Sequence, residues 1–182
     1  MDSSTNPNSF EYTVPRKANG AVKMKRFIYA LICYIPPIIL TIIGRQFIFL
    51  AIPVLAIIFT FAYWYLVTGT IIEYKYVIHA AEFSVTELYS GIHKPKEVFR
   101  VKTKDMTAVV PATQENIDKN VTSDVKRFDY ISKPDYADIY LIVANHPTLG
   151  KVAVTFDCLS RMIKPLKFYN GAATVVKDKF LY

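Results

Sequence analysis

The chain has only two cysteines and three histidines among its 182 residues, and neither set has the spacing that chemistry requires. Cys33 lies in an apolar stretch and Cys158 in the more polar half. They cannot form a disulfide framework, and each reads as a small buried hydrophobe in a reducing compartment. His79, His93 and His146 fall on separate predicted elements without ligand spacing, so no metal site is expected. Glycine is scarce too, at six residues, and there is no Gly-rich phosphate loop, nucleophile elbow or zincin helix. A cysteine-phosphatase loop needs an Arg six positions after its Cys, but Cys158 is followed there by Lys164. Glu115, Asp118, Asp124, Asp129, Asp135 and Asp138 lie in predicted loops and strand ends, where solvation accounts for them. These absences point away from an enzyme and from any cofactor.

Charge is missing from Phe27 to Ile43 and again from Phe47 to Val67, with Gly44, Arg45 and Gln46 between. Two such arms predict a transmembrane helical hairpin over residues 23–72, the second arm long enough to cross ~30 Å of hydrocarbon. Pro36 and Pro37 predict a kink in the first arm, which is also short, so a re-entrant or poorly packed first helix is its alternative, and a buried soluble hairpin is the alternative for the pair. Tyr63, Trp64, Tyr65, Tyr74 and Tyr76 gather at the exit as an aromatic belt would. Arg16, Lys17, Lys23, Lys25 and Arg26 precede the hairpin, against Arg45 alone in its turn. That asymmetry predicts a multi-pass protein of the cell membrane with both termini cytoplasmic. Residues 1–22, rich in Ser, Asn and Pro, read as a disordered cytoplasmic tail.

From Glu73 onward the apolar residues alternate, the pattern of strands with one face on a core. Candidate strands follow: one with Tyr74, Tyr76 and Ile78 on one face, then Phe83–Tyr89, 97–101, 106–112, 125–131, 138–145 and 151–156. Thr113 to Asp124 has the composition of a long loop, and His146–Pro147 with Gly150 that of a hairpin. Asp157 can cap a closing helix with Leu159, Met162, Ile163 and Leu166 on one side, Pro165 within it and Gly171 at its end. The expected class is α+β: the transmembrane hairpin, then a cytoplasmic domain over 73–182 built as a pleckstrin-homology-like (PH-like) antiparallel barrel of about seven strands, capped by a C-terminal helix. A plain antiparallel sheet with one helix across it is the competing arrangement.

A hairpin running directly into Glu73-Tyr74-Lys75-Tyr76-Val77-Ile78, a β-rich middle and a short amphipathic helix near the end together resemble a known group. These are small, uncharacterised bacterial membrane proteins of the Gram-positive anaerobe type with a PH-like domain. The likeness runs from about residue 20 to the end. His79-Ala80-Ala81-Glu82 stands where a Gly-containing turn is expected. The resemblance implies no activity and transfers no functional residue.

Lys96, Arg100, Lys102 and Lys104 all occupy even positions, with Lys94 leading in, so one extended strand would line them up on one face. The stripe reads either as the solvated face of a protected edge strand or as a site for anionic lipid headgroups or an acidic partner. The net charge of +7 fits a lipid bilayer as partner, and without a recognition motif nucleic acid is not expected. The function this implies is a binding or scaffold module. An accessory subunit of a membrane transporter or envelope-assembly complex, with a membrane-protein partner, is the second reading.

Overall fold

The computed structural model describes residues 9–43, 48–91, 93–133 and 138–177, and it begins with a strand where a disordered tail is expected. Phe10, Tyr12 and Val14 alternate with Glu11, Thr13 and Pro15 to form β1 (Phe10–Pro15), with Val14 buried. β1 runs antiparallel to β2 (Ile72–His79), placing Val14 opposite Tyr74 and Phe10 opposite Ile78. Lys75 and Glu11 form an ion pair at 2.5 Å across the ladder.

Between these strands lie α1 (Gly20–Ile43) and α2 (Ile48–Thr68). Among the described residues no helix is long and apolar enough to cross a membrane. This corrects the transmembrane hairpin over 23–72, and with it the integral, multi-pass placement with cytoplasmic termini. Lys23, Lys25 and Arg26 are part of α1 itself, so its uncharged portion starts only at Phe27 and is interrupted by Pro36 and Pro37. That is short of the ~20 residues a span needs. α2 contains Pro53 and ends in the polar-tipped Tyr63, Trp64, Tyr65 and Thr68. The expected turn at Gly44-Arg45-Gln46 lies outside the described residues.

The chain divides into two compact units. Met1–Arg16, Glu73–Glu87 and Lys96–Tyr182 make one, and Lys17–Ile72 with Leu88–Pro95 makes the other. In the first, β2 turns into β3 (Glu82–Tyr89) through Ala80 and Ala81, both with positive φ (49° and 62°). Alanine thus supplies the left-handed pair that a two-residue hairpin demands and that Asn-Gly ordinarily fills. β4 (Lys96–Lys102) completes a sheet of order β1-β2-β3-β4.

A 3-10 turn at Thr103–Asp105 leads to the second sheet, β5 (Met106–Pro111), β6 (Lys126–Tyr130), β7 (Ile139–His146) and β8 (Gly150–Asp157), in the order β5-β7-β8-β6. The two sheets are not closed into a barrel, which corrects the expected architecture. Eight strands are found among the described residues, and β6 lies parallel to β8, a pairing that no antiparallel meander contains. Phe156 meets Tyr76 at 5.9 Å, Phe83 at 5.1 Å and Tyr140 at 6.4 Å between ring centroids, so the aromatic centre of the core joins both sheets. Burial of each such ring contributes about 1.5–3 kcal/mol.

The stretch expected as a long loop contains α3 (Gln114–Asn120), capped by Thr113, whose side chain accepts from the Asn116 N–H. Ile117 and Val121 pack on Leu141, Val143 and Ala153, on the far side of the second sheet. At the C-terminal end α4 (Ser160–Tyr169) buries Met162, Ile163, Pro165 and Leu166. The residue before the helix is Leu159, with no side-chain cap, and Asp157 instead ends β8.

Candidate functional site

Among the described residues of the second unit many large apolar side chains are exposed. Asn19 starts α1, its side-chain oxygen accepting the Val22 N–H at 2.9 Å, and the helix then runs beside α2, where Tyr34 and Tyr63 meet at 5.5 Å. At one end of the pair Arg26 Nε donates to Thr70 Oγ1 at 2.7 Å, and that hydroxyl donates to the Val67 carbonyl. Lys23, Lys25, Trp64 and Tyr65 are exposed at this same end. His93 lies against Tyr65 and Tyr89 and has Nε2 3.1 Å from the Tyr65 carbonyl, an ordinary packing role. Toward the other end, Pro37, Ile38, Ile42, Ile52, Leu55 and Phe59 line an apolar cleft of about 310 Å³. Ile42 is 72% exposed, Phe61 65% and Phe27 60%.

The basic stripe is partly dismantled by the ladder. A bulge between Val85 and Thr86 sets Thr86 opposite Glu97 and Glu87 opposite Lys96. Glu97, and not Lys96, therefore falls into phase with Arg100. The Arg100 guanidinium bonds Glu97 at 2.6 Å and lies 3.9 Å from Glu82, and the Glu97 bond raises its already high pKa. Lys102 stands opposite Glu82. Lys104 sits in the 3-10 turn beyond the strand, and Lys94 belongs to the other unit. All five cations are exposed, and of the three on β4 the ladder keeps Arg100 and Lys102 on one face and moves Lys96 off it.

Cys158, Tyr76 and Asp157 are all built into the core. The Cys158 thiol is fully buried, and burial pushes its pKa well above the ordinary thiol range, the reverse of a reactive cysteine. Tyr76 donates its hydroxyl to the Tyr130 carbonyl at 2.6 Å, and burial raises its pKa first, the Asp157 carboxylate second. Asp157 accepts the Ser132 N–H at 2.8 Å on one oxygen, while the other has no partner among the described residues. Burial raises its pKa, opposed by that hydrogen bond. His146 Nδ1 accepts the Thr148 and Leu149 N–H groups and so holds the turn before Gly150, the hairpin the sequence predicts. Among the described residues no group of three or more potential ligands could hold a metal ion.

The family model for the bacterial PH-like domain (DUF6106) matches residues 9–175, from the start of β1 past the end of α4. The chain belongs to this bacterial PH-like family. The match begins just ahead of β1 and includes α1 and α2, so in this PH-like protein the helix pair and the N-terminal strand lie inside the region the family describes. No curated protein and no solved structure matches the chain.

One surface escaped the sequence reading. The outward side of α4 carries Arg161, Lys164, Lys167 and Phe168, all exposed, whereas the helical spacing drew attention only to the inward side.

Proposed function

We propose that this PH-like protein is a non-catalytic binding module that works at a lipid bilayer, engaging it through α1 and α2. The observation that carries the reading is the exposed apolar surface of the helix pair, with Ile42, Phe61 and Phe27 each at least 60% exposed. Its polar end supports the same reading. Lys23 and Lys25 suit phosphate headgroups, and Trp64 and Tyr65 suit the interface between headgroup and acyl chain. Core packing of Cys158, Asp157 and Tyr76 leaves them to stability, which supports a binding role over a catalytic one. Nucleic acid has no part in this reading.

The test is flotation of the full chain with phosphatidylcholine vesicles. The wild type is expected to float with the lipid. A variant with Ile38→Glu, Ile42→Glu and Ile57→Glu, all at exposed positions, is expected to remain behind with an unchanged fold by circular dichroism. Equal flotation of both, or none by either, would remove the helix pair as the lipid-binding element.

A further inference from the structure

We infer that the outward face of α4 is an independent contact for the anionic headgroups of a lipid leaflet, an inference that rests on the bilayer reading above. At ~100° per residue, Arg161, Lys164, Lys167 and Phe168 fall within an arc of roughly 120°, and Met162, Ile163, Pro165 and Leu166 fill the opposite side against the core. The division is clean. Phe168 is 68% exposed, although a ring of that size is ordinarily covered. From Cys158 to Lys177 there is no Asp or Glu, and among the described residues no carboxylate pairs with Arg161, Lys164 or Lys167 within ion-pair distance.

This face differs from the β4 stripe in the property that decides binding. Arg100 already has Glu97 and Glu82 beside it, and Lys102 faces Glu82, so an anion there would compete with carboxylates in place. On α4 none of the three cations has a carboxylate at ion-pair distance among the described residues, and they flank an exposed aromatic ring that can settle at headgroup depth. Surface cations beside an exposed aromatic ring suit an anionic headgroup layer, by charge attraction and by the ring's preference for the interface. Each such cation strengthens binding about fivefold, and the attraction is screened over ~10 Å at moderate salt.

The experiment uses the full chain with Ser160→Cys, an exposed position on the same face, labelled with an environment-sensitive dye. Cys33 and Cys158 are buried, so the label goes to the new thiol. Vesicles of phosphatidylcholine alone are compared with vesicles of phosphatidylcholine and phosphatidylglycerol. The expected result is flotation with both, and a blue shift of the dye only with phosphatidylglycerol, reversed by salt. R161E/K164E/K167E is expected to float as before and to need on the order of a hundredfold or more phosphatidylglycerol for the same shift. K164Q/K167Q, a milder change that tests the same point should the triple variant melt early, is expected to show a smaller loss of the same sign. Flotation without any shift, or an equal shift on neutral lipid, overturns the inference and leaves the bilayer reading standing. A larger shift with soluble polyglutamate than with vesicles overturns it in favour of an acidic protein partner. Absence of flotation with either lipid overturns the bilayer reading itself, and this inference falls with it.

Discussion

The Ala81 carbonyl accepts two hydrogen bonds from one residue, the Thr103 N–H at 2.8 Å and the Thr103 hydroxyl at 3.0 Å. Thr103 is almost fully buried, so the 3-10 turn between the two sheets clamps the hairpin between β2 and β3. The clamp holds Ala80 and Ala81 in a left-handed conformation that costs L-residues roughly 1–2 kcal/mol each. Replacing the pair by Asn-Gly should therefore stabilise the protein by about 1–2 kcal/mol and raise its melting temperature. A melting curve unmoved or shifted downward would show that the turn is not strained.

Tyr76 joins the sheets through one polar atom. Its hydroxyl reaches the Tyr130 carbonyl on the edge strand β6, from the centre of the other sheet. Tyr76→Phe keeps the ring packing against Phe156 and leaves that carbonyl unpaired, at an expected cost of about 1–3 kcal/mol. Chemical denaturation reads the difference, and a variant as stable as the wild type would mean the bond contributes nothing net.

Asp157 makes stability depend on pH in an unusual direction. Burial raises its carboxyl above the ordinary range near ~3.9. Between that range and the raised value the folded protein holds a proton that the unfolded chain has released. Stability should therefore decline as pH rises through this window and level off above it. Asp157→Asn keeps an oxygen to accept the Ser132 N–H and should flatten this part of the profile. A wild-type stability that climbs across the same window would contradict the assignment.

Met162 tests whether α4 is part of the core. It is fully buried between Arg161 and Ile163, and Met162→Asp forces an unpaired carboxylate into apolar surroundings. The expected loss is several kcal/mol, enough to unfold the first unit. Retention of the native near-ultraviolet spectrum and melting temperature would show that α4 is dispensable.

Strand positions with strict alternation could be read directly, as Tyr74, Tyr76 and Ile78 show by being buried together. The same was true of Met162, Ile163 and Leu166 on α4. β1 carries the same signal in Phe10, Tyr12 and Val14, but its setting among Ser, Asn and Pro masks six residues of alternation, and its partner lies beyond two helices. α3 has only Ile117 and Val121 to mark it, because a short helix covering one patch of sheet needs only one apolar turn. Lys96 leaves the expected stripe because period-two reasoning assumes an unbroken strand, and the bulge between Val85 and Thr86 shifts the phase between Lys96 and Arg100. Long apolar runs reveal composition more readily than they reveal what covers them, which is why α1 and α2 could be located but not placed.

The pairing of β1 with β2 also fixes how the chain bears load. The segment from Lys17 to Ile72 leaves the first sheet after Pro15 and returns at Glu73, and those two residues are partners on the last rung of one antiparallel ladder. A pull on that segment therefore arrives at both strands from the same end. It peels the ladder one rung at a time, Pro15–Glu73 first and Val14–Tyr74 next, instead of shearing every hydrogen bond at once. The buried Val14 and the Glu11–Lys75 ion pair farther along set the tension at which this weak seam stops opening.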